Sequence, residues 1–230
     1  PTEPKFIPPE AAAVTTRGGA GFNVRLVDCV GYMVPEALGN TEDGKERMVT
    51  TPWFEEQIPF SKAAEIGTEK VITDHSVIGI VVTTDGSFGE IQRSSFVEAE
   101  EKTVNQLKEL HKPFVVVLNS ATPQSEKSKD LALQLEEQYQ VPVVLTNCQK
   151  ITEDGFEELF DRIIYQFPAS EVQFSLPGYL DALDRDHWIK DSIISSVKTW
   201  MGGFDTIGQV MDSCGSIADG KIMKSVKVAR

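Results

Sequence analysis

An α/β fold with a parallel sheet covered by helices is what this 230-residue sequence predicts, and three observations carry the prediction. Val77-Ile-Gly-Ile-Val-Val-Thr83, Phe114-Val-Val-Val-Leu118 and Val141-Pro-Val-Val-Leu145 are largely β-branched runs without a polar face, as strands buried on both sides are. Amphipathic stretches separate them, so strand and helix alternate regularly from residue 77 onward. Each run also stops at polar or turn-forming residues: Thr84-Asp85-Gly86, Asn119-Ser120 and Thr146-Asn147.

The elements follow in order. Residues 11–15 and 22–27 are short apolar runs separated by Arg17-Gly-Gly-Ala-Gly21, which predicts an antiparallel hairpin. The second run continues as Arg25-Leu-Val-Asp28-Cys-Val-Gly31, an apolar strand ending in Asp-x-x-Gly. Residues 36–59 are too polar for core and read as a long loop, pinned where Trp53, Phe54, Ile58 and Phe60 pack down. A helix over 61–74 follows, with Ser61 as its N-cap. Ser95 and Glu98 make a capping box for a helix lasting to about His111. Further helices are predicted over 130–139 and 153–167.

After Pro168 the rhythm changes. Gln173-Phe-Ser-Leu-Pro177 leads into a predicted helix over 179–201, with Leu180, Leu183, Trp188, Ile193, Ile194, Val197 and Trp200 at mixed three and four spacing. Gly202, Gly203, Gly208 and Gly215 then break the chain into short pieces, and residues 221–230 alternate like a strand with one wet face. The division is therefore one domain over 1–168 and the beginning of a second, α+β domain over 169–230.

Twenty-two basic against 35 acidic residues give a net charge of −13, which repels nucleic acid and anionic lipid. Three cysteines, Cys29, Cys148 and Cys214, are widely spaced with no Cys-x-x-Cys, a usage that fits a reducing cytosol. No apolar run reaches membrane-spanning length. His75, His111 and His187 stand apart and read as structural or solvated. The opening Pro-Thr-Glu-Pro-Lys-Phe resembles a protein interior, so the whole protein is expected to begin upstream of Pro1.

In an open α/β sheet, ligands sit beyond the carboxyl ends of the strands. Asp28 with Gly31, Thr84-Asp85-Gly86, Asn119-Ser120 and Thr146-Asn147 occupy such ends. Asp-x-x-Gly can hold a magnesium-bound water through the Asp carboxylate and meet a γ-phosphate through the bare N–H of the Gly. It is also an ordinary strand-end turn. The Gly-x-x-x-x-Gly-Lys-Ser/Thr loop that such a site needs is not spelled out before Asp28, where Gly18, Gly19 and Gly21 fit a hairpin turn. Asn119-Ser-Ala-Thr122 stands where Ras-like GTPases carry Asn-Lys-x-Asp. A Thr hydroxyl cannot accept the two hydrogen bonds that a guanine-reading carboxylate takes, so adenine, or no base selectivity, is expected.

Together these residues resemble the stage IV sporulation protein A family, spore-coat morphogenetic ATPases of endospore-forming bacteria. The segments that carry the resemblance are Thr-Glu-Pro-Lys-Phe (2–6), Arg-Leu-Val-Asp-Cys-Val-Gly-Tyr (25–32), Thr-Pro-Trp-Phe-Glu-Glu (51–56), Ala-Ala-Glu-Ile-Gly-Thr (63–68), Thr-Thr-Asp-Gly (83–86) and Leu-Pro-Gly-Tyr-Leu (176–180). The resemblance implies a Ras-like phosphate-loop NTPase sheet, here lacking its first strand and loop. It implies ATP and Mg2+ as ligands, with Thr2 and Asp28 as catalytic, metal-side residues and Gly31, Asn119, Ser120 and Thr146 on the nucleotide. It implies a self-polymerising protein of the mother-cell cytoplasm at the forespore surface, which builds the basement layer of the spore coat. The implied partners are copies of itself, a small amphipathic forespore-membrane peptide and other coat proteins.

Two departures limit the carry-over: the phosphate loop has no counterpart here, and Pro1 stands where a threonine is usual. ATPase activity is thus expected of the full-length protein, and this chain by itself is expected to bind ATP poorly. Two alternatives are a non-catalytic scaffold with a degenerate NTPase fold and a phosphate-accepting receiver. The receiver needs a Lys where Asn119-Ser120 stand.

Overall fold

The computed structural model describes residues 8–16, 19, 21–37, 41–42 and 44–228. Two compact units divide the chain, Pro1–Ile163 and Ile164–Arg230.

The first unit opens with the expected hairpin: β1 (Ala12–Thr15) pairs antiparallel with β2 (Gly21–Val24). The strand reading of residues 25–31 is corrected. The ladder ends at Ala12↔Val24, and in that register Val27 and Asp28 would face Pro9 and Pro8, which have no N–H to give. Leu26 and Val30 are consequently more than half exposed. The loop reading of 36–59 is corrected too. It holds two small hairpins, β3 (Thr41–Glu42) with β4 (Lys45–Glu46) and β5 (Met48–Thr51) with β6 (Phe54–Pro59). Trp53, at the turn of the second, lies over Gly67.

Helix α1 (Phe60–Lys70) starts from Pro59, and Ser61 is not its cap. The Ser61 hydroxyl instead donates to Glu46 at 2.6 Å. The helix passes into a wider π turn over Val71–His75. Lys112 Nζ closes that turn by donating to the carbonyls of Ile72, Thr73 and Ser76, a cation at a helix C-terminus, where free carbonyls favour one.

Strand β7 (Gly79–Thr84), helix α2 (Arg93–Glu109), strand β8 (Phe114–Asn119), helix α3 (Glu126–Tyr139) and strand β9 (Val143–Thr146) complete the alternation, followed by α4 (Glu153–Ile164). The three strands form a parallel sheet in the order β7-β8-β9. β8 is central, with all five residues 114–118 buried. Val104 and Leu107 of α2 and Leu135 and Tyr139 of α3 join Val116 and Leu118 in one apolar core, each full burial contributing about 1.5–3 kcal/mol. Ser95 does not cap α2, which starts earlier; its hydroxyl donates to Glu36 at 2.7 Å. Helix α3 also starts earlier than predicted, capped by the Ser125 hydroxyl, which accepts from Ser128 N.

In the second unit the helix predicted over 179–201 is divided. A 3-10 turn (Gly178–Ala182) precedes α5 (Trp188–Met201), whose cap is His187 Nδ1, accepting from Ile189 N at 3.3 Å. Trp200 packs on Phe204 with ring centres 4.6 Å apart, and its indole N–H donates to Ser213 O. Helix α6 (Ile207–Ser213) opens with a Thr206/Gln209 capping box. The predicted strand at 221–230 does not form among its described residues, 221–228. The Asp219 carboxylate takes the N–H groups of Lys221, Ile222 and Met223. Those bonds from Lys221 and Met223 N–H, foremost, hold its pKa below the usual value.

Candidate functional site

The three parallel strands bring their polar carboxyl ends to one edge. Asn119 stands opposite Thr84 on one side and Thr146 on the other, and Ser120 N donates to Thr146 O at 2.9 Å. Asn119 Oδ1 accepts from Cys148 N at 2.9 Å, which joins the loop after β8 to the loop after β9. Of the site residues predicted from sequence, Asn119, Ser120 and Thr146 are therefore neighbours.

Asp85 organises this edge, a residue marked at a strand end by the sequence but given no role there. Its N–H donates to Asn119 O at 3.3 Å. Oδ1 accepts from Ser87 N at 2.9 Å and from the Ser87 hydroxyl, and Oδ2 accepts from the Ser128 hydroxyl at 3.0 Å. Ser128 Oγ lies 3.1 Å from Ser120 Oγ and 2.8 Å from Ser125 Oγ. Ser87 Oγ accepts from Ala121 N at 2.8 Å, and Ser120 Oγ from Thr122 N at 3.1 Å. Ser120 is wholly buried and Ser128 nearly so. Burial alone would raise the Asp85 carboxyl. Hydrogen bonds from the hydroxyls of Ser120, Ser87 and Ser128 and from Ser87 N–H outweigh it and hold the group below the usual aspartate value.

Next to the edge the half-buried Arg93 pairs with the buried Glu100. Arg93 Nη2 donates to Glu100 Oε1 at 2.8 Å, Tyr139 donates to the same oxygen at 2.6 Å, and Arg93 Nη1 reaches Thr83 Oγ1 at 3.4 Å. Burial, then the Glu100 carboxylate, push the Tyr139 hydroxyl well above the usual tyrosine range. Arg93 is the first residue of α2, and Gly86 packs against its backbone.

Asp28 and Gly31 make no hydrogen bond to this edge among the described residues. Asp28 is exposed and has no hydrogen bond or ion pair with another described residue. Gly31 has φ +80° with open space where a Cβ would stand. The next residue, Tyr32, donates to Gln106 Oε1, and Lys102 Nζ lies 4.2 Å from its ring centre. Burial, then the charges of Glu69 and Glu65, raise the Tyr32 pKa. Helix α2 rises about 1.5 Å per residue, so Gln106 lies about 20 Å along the axis from Arg93 at the sheet edge. The anchor thus holds Gly31 and Tyr32 beside the far half of α2, while Glu36 accepts from Ser95 near the start of that helix, and no hydrogen bond joins Asp28 to Asn119, Ser120 or Thr146. Thr2 lies outside the described residues.

Among the described residues no three His, Cys, Asp or Glu side chains are grouped to hold a metal, and no described helix is long and apolar enough to cross a membrane. Asp28, the magnesium-side residue that the family resemblance implies, is a hard oxygen donor, exposed and without an ion pair to a described residue. The hydroxyls of Ser87, Ser125 and Ser128 escaped the sequence reading, which singled out Ser120 alone of the four serines. Only the spacing of Ser125 and Ser128 ahead of an apolar run hinted at a cap.

Residues 1–168 match the family described as Stage IV sporulation protein A, ATPase domain. The protein named Stage IV sporulation protein A of Clostridioides difficile (strain 630) is 47% identical over 215 residues, 94% of this chain and 43% of that one. Its namesake in Bacillus subtilis (strain 168) is 40% identical over 228 residues, 99% of this chain and 46% of that one. The chain therefore spans less than half the length of these relatives. The cytosolic domain of the T. maritima FeoB iron transporter, solved in apo form, is 13% identical with a TM-score of 0.34, covering 96% of this chain and 80% of that one, a likeness too slight to define a fold. The chain belongs to the stage IV sporulation protein A family, with its residues 1–168 matching that family's ATPase domain.

Proposed function

We propose that the full-length protein containing this chain hydrolyses ATP with Mg2+ and polymerises, building the basement layer of the spore coat during sporulation. The observation that carries the proposal is the match of residues 1–168 to an ATPase-domain family, with relatives 40–47% identical over nearly the whole chain. When bound, magnesium would neutralise charge developing on the phosphates. Asp28 would hold one of its waters, and Thr2 and Gly31 would meet the terminal phosphate. Asn119, Ser120 and Thr146 shape the edge that would face the base, with Thr122 in place of a guanine-reading carboxylate. Among the described residues Asp28 is the carboxylate proposed for the metal side and no phosphate loop is spelled out, so no chemical step is assigned to them.

The proposed partners are copies of the same chain, a small amphipathic peptide tethering it to the forespore membrane, and other coat proteins, all on the mother-cell side. A net charge of −13 favours such an indirect tether over direct contact with anionic lipid, and disfavours nucleic acid.

A second reading, a non-catalytic scaffold, is favoured by one observation: Tyr32, the residue after Gly31, is fastened to Gln106, about 20 Å along α2 from Arg93. Phosphate release and polymer sedimentation, measured on purified full-length protein with and without Mg·ATP, separate the two. Turnover above buffer together with ATP-dependent polymer supports the ATPase. Polymer formed equally without ATP, with no phosphate released, refutes it in favour of the scaffold.

A further inference from the structure

Asp85 ties together three separate pieces of chain: the turn after β7 through Ser87, the start of α3 through Ser128, and, by way of those two hydroxyls, the loop after β8. Ser87 N–H can only donate, and it points at Oδ1. The Ser87 hydroxyl gives its proton to the same oxygen and accepts from Ala121 N–H, which also can only donate. The Ser128 hydroxyl gives its one proton to Oδ2. With that proton committed, the Ser125 hydroxyl donates to Ser128 Oγ, and the Ser120 hydroxyl, whose oxygen takes Thr122 N–H, turns its one proton to Ser128 Oγ or to the Asp85 carboxylate. Every proton in the network therefore points toward one ionised carboxylate, and none points back.

We propose that Asp85 is a positioning residue for nucleotide binding, acting through Ser87 and Ser128 to hold the loop that follows β8 in its binding geometry. The proposal rests on the reading of this edge as the nucleotide's. Asp85 need not touch the ligand. Its carboxylate fixes Ala121 N and Ser120, and from Asn119 the connection continues to Cys148 N, so the loops after β8 and β9 move only if the network is rewired.

Asp85→Asn is the sharpest perturbation because it keeps shape and removes acceptor capacity. The amide oxygen would serve the two donors of Ser87, leaving NH2 toward Ser128 Oγ. Ser128 would then turn its proton onto Ser120 or Ser125, and one hydroxyl proton in a buried site would lose its partner. The loss of one charge-assisted bond is worth about tenfold in binding. Ser87→Ala removes only the exposed branch of the network, worth about threefold.

The test uses the full-length protein, with steady-state ATP turnover and thermal unfolding measured side by side below all unfolding midpoints. Asp85→Asn is expected to raise KM for ATP about tenfold with a smaller change in kcat, and Ser87→Ala to raise it about threefold. If both variants keep the wild-type KM while their midpoints fall, the network is structural only and the proposal is overturned, with the ATPase reading intact. If Asp85→Asn does not fold, Ser87→Ala decides by the same criterion. Absence of ATP turnover in the wild-type protein overturns the underlying reading and this proposal with it.

Discussion

Gly86 is the point at which the turn after β7 presses on α2, and replacing it with alanine tests the packing of the sheet edge. Its φ is +82°, a left-handed conformation, and a Cβ built there would stand 2.8 Å from Arg93 N and 3.4 Å from Arg93 Cβ. The nearest atom is main chain at the first residue of a helix, so no flexible side chain can swing aside. The left-handed backbone costs a non-glycine residue about 1–2 kcal/mol, and relieving the overlap about 1–3 kcal/mol more. The sum is about 2–5 kcal/mol. For a chain of this length 1 kcal/mol moves the unfolding midpoint by about 2–4 °C, so Gly86→Ala should lower it by roughly 4–20 °C. Gly89→Ala is the control: φ is +73° there, but a Cβ at that position would meet nothing within 4 Å, so only the backbone cost applies. Thermal unfolding of both variants by circular dichroism reads the difference. Equal shifts would refute the close approach of the β7 turn to α2.

Two further outcomes follow from the same contacts. Tyr32→Phe deletes the bond to Gln106 while keeping the ring under Lys102, a loss of about 1 kcal/mol. Hydrogen exchange in residues 28–37 should then accelerate severalfold with α2 unchanged, whereas unaltered exchange would mean that the loop is not anchored there. The second concerns pH. Because its hydrogen bonds lower the folded-state pKa of Asp85, its contribution to stability is complete above the unfolded aspartate value of about 3.9 and disappears as pH falls through the lower native value. The difference in unfolding midpoint between wild type and Asp85→Asn should therefore be constant from neutral pH down to about 4 and shrink below it; a difference that widens toward acid would contradict the assignment.

The parallel sheet was legible because its signal is local: uninterrupted β-branched runs have one good solution, burial on both faces, and β8 adopts it in full. Helix starts were less legible because a cap is a choice between a helix and a distant partner. Ser61 and Ser95 have the right side chain for an N-cap, yet they donate to Glu46 and Glu36. Ser125, whose neighbours offer nothing better, does cap α3. The misread strand at 25–31 shows the same limit: its residues suit a strand, but Pro8 and Pro9 leave it nothing to pair with. At the strand-end edge, the rule that ligands sit beyond carboxyl ends picked out Asp85, Asn119, Ser120 and Thr146. It could not reveal that Asp85 meets Ser128, 43 residues away in sequence, nor that Tyr32 holds its loop against α2.

Asp28→Ala in the full-length protein is the most direct test of an ATPase that works through this residue. Asp28 is exposed and bonded to no described residue, so its loss should change stability by no more than about 0.5 kcal/mol. Phosphate release from Mg·ATP should fall to background while the unfolding midpoint stays at the wild-type value. Wild-type turnover in that variant would contradict the assignment of Asp28 to the magnesium site.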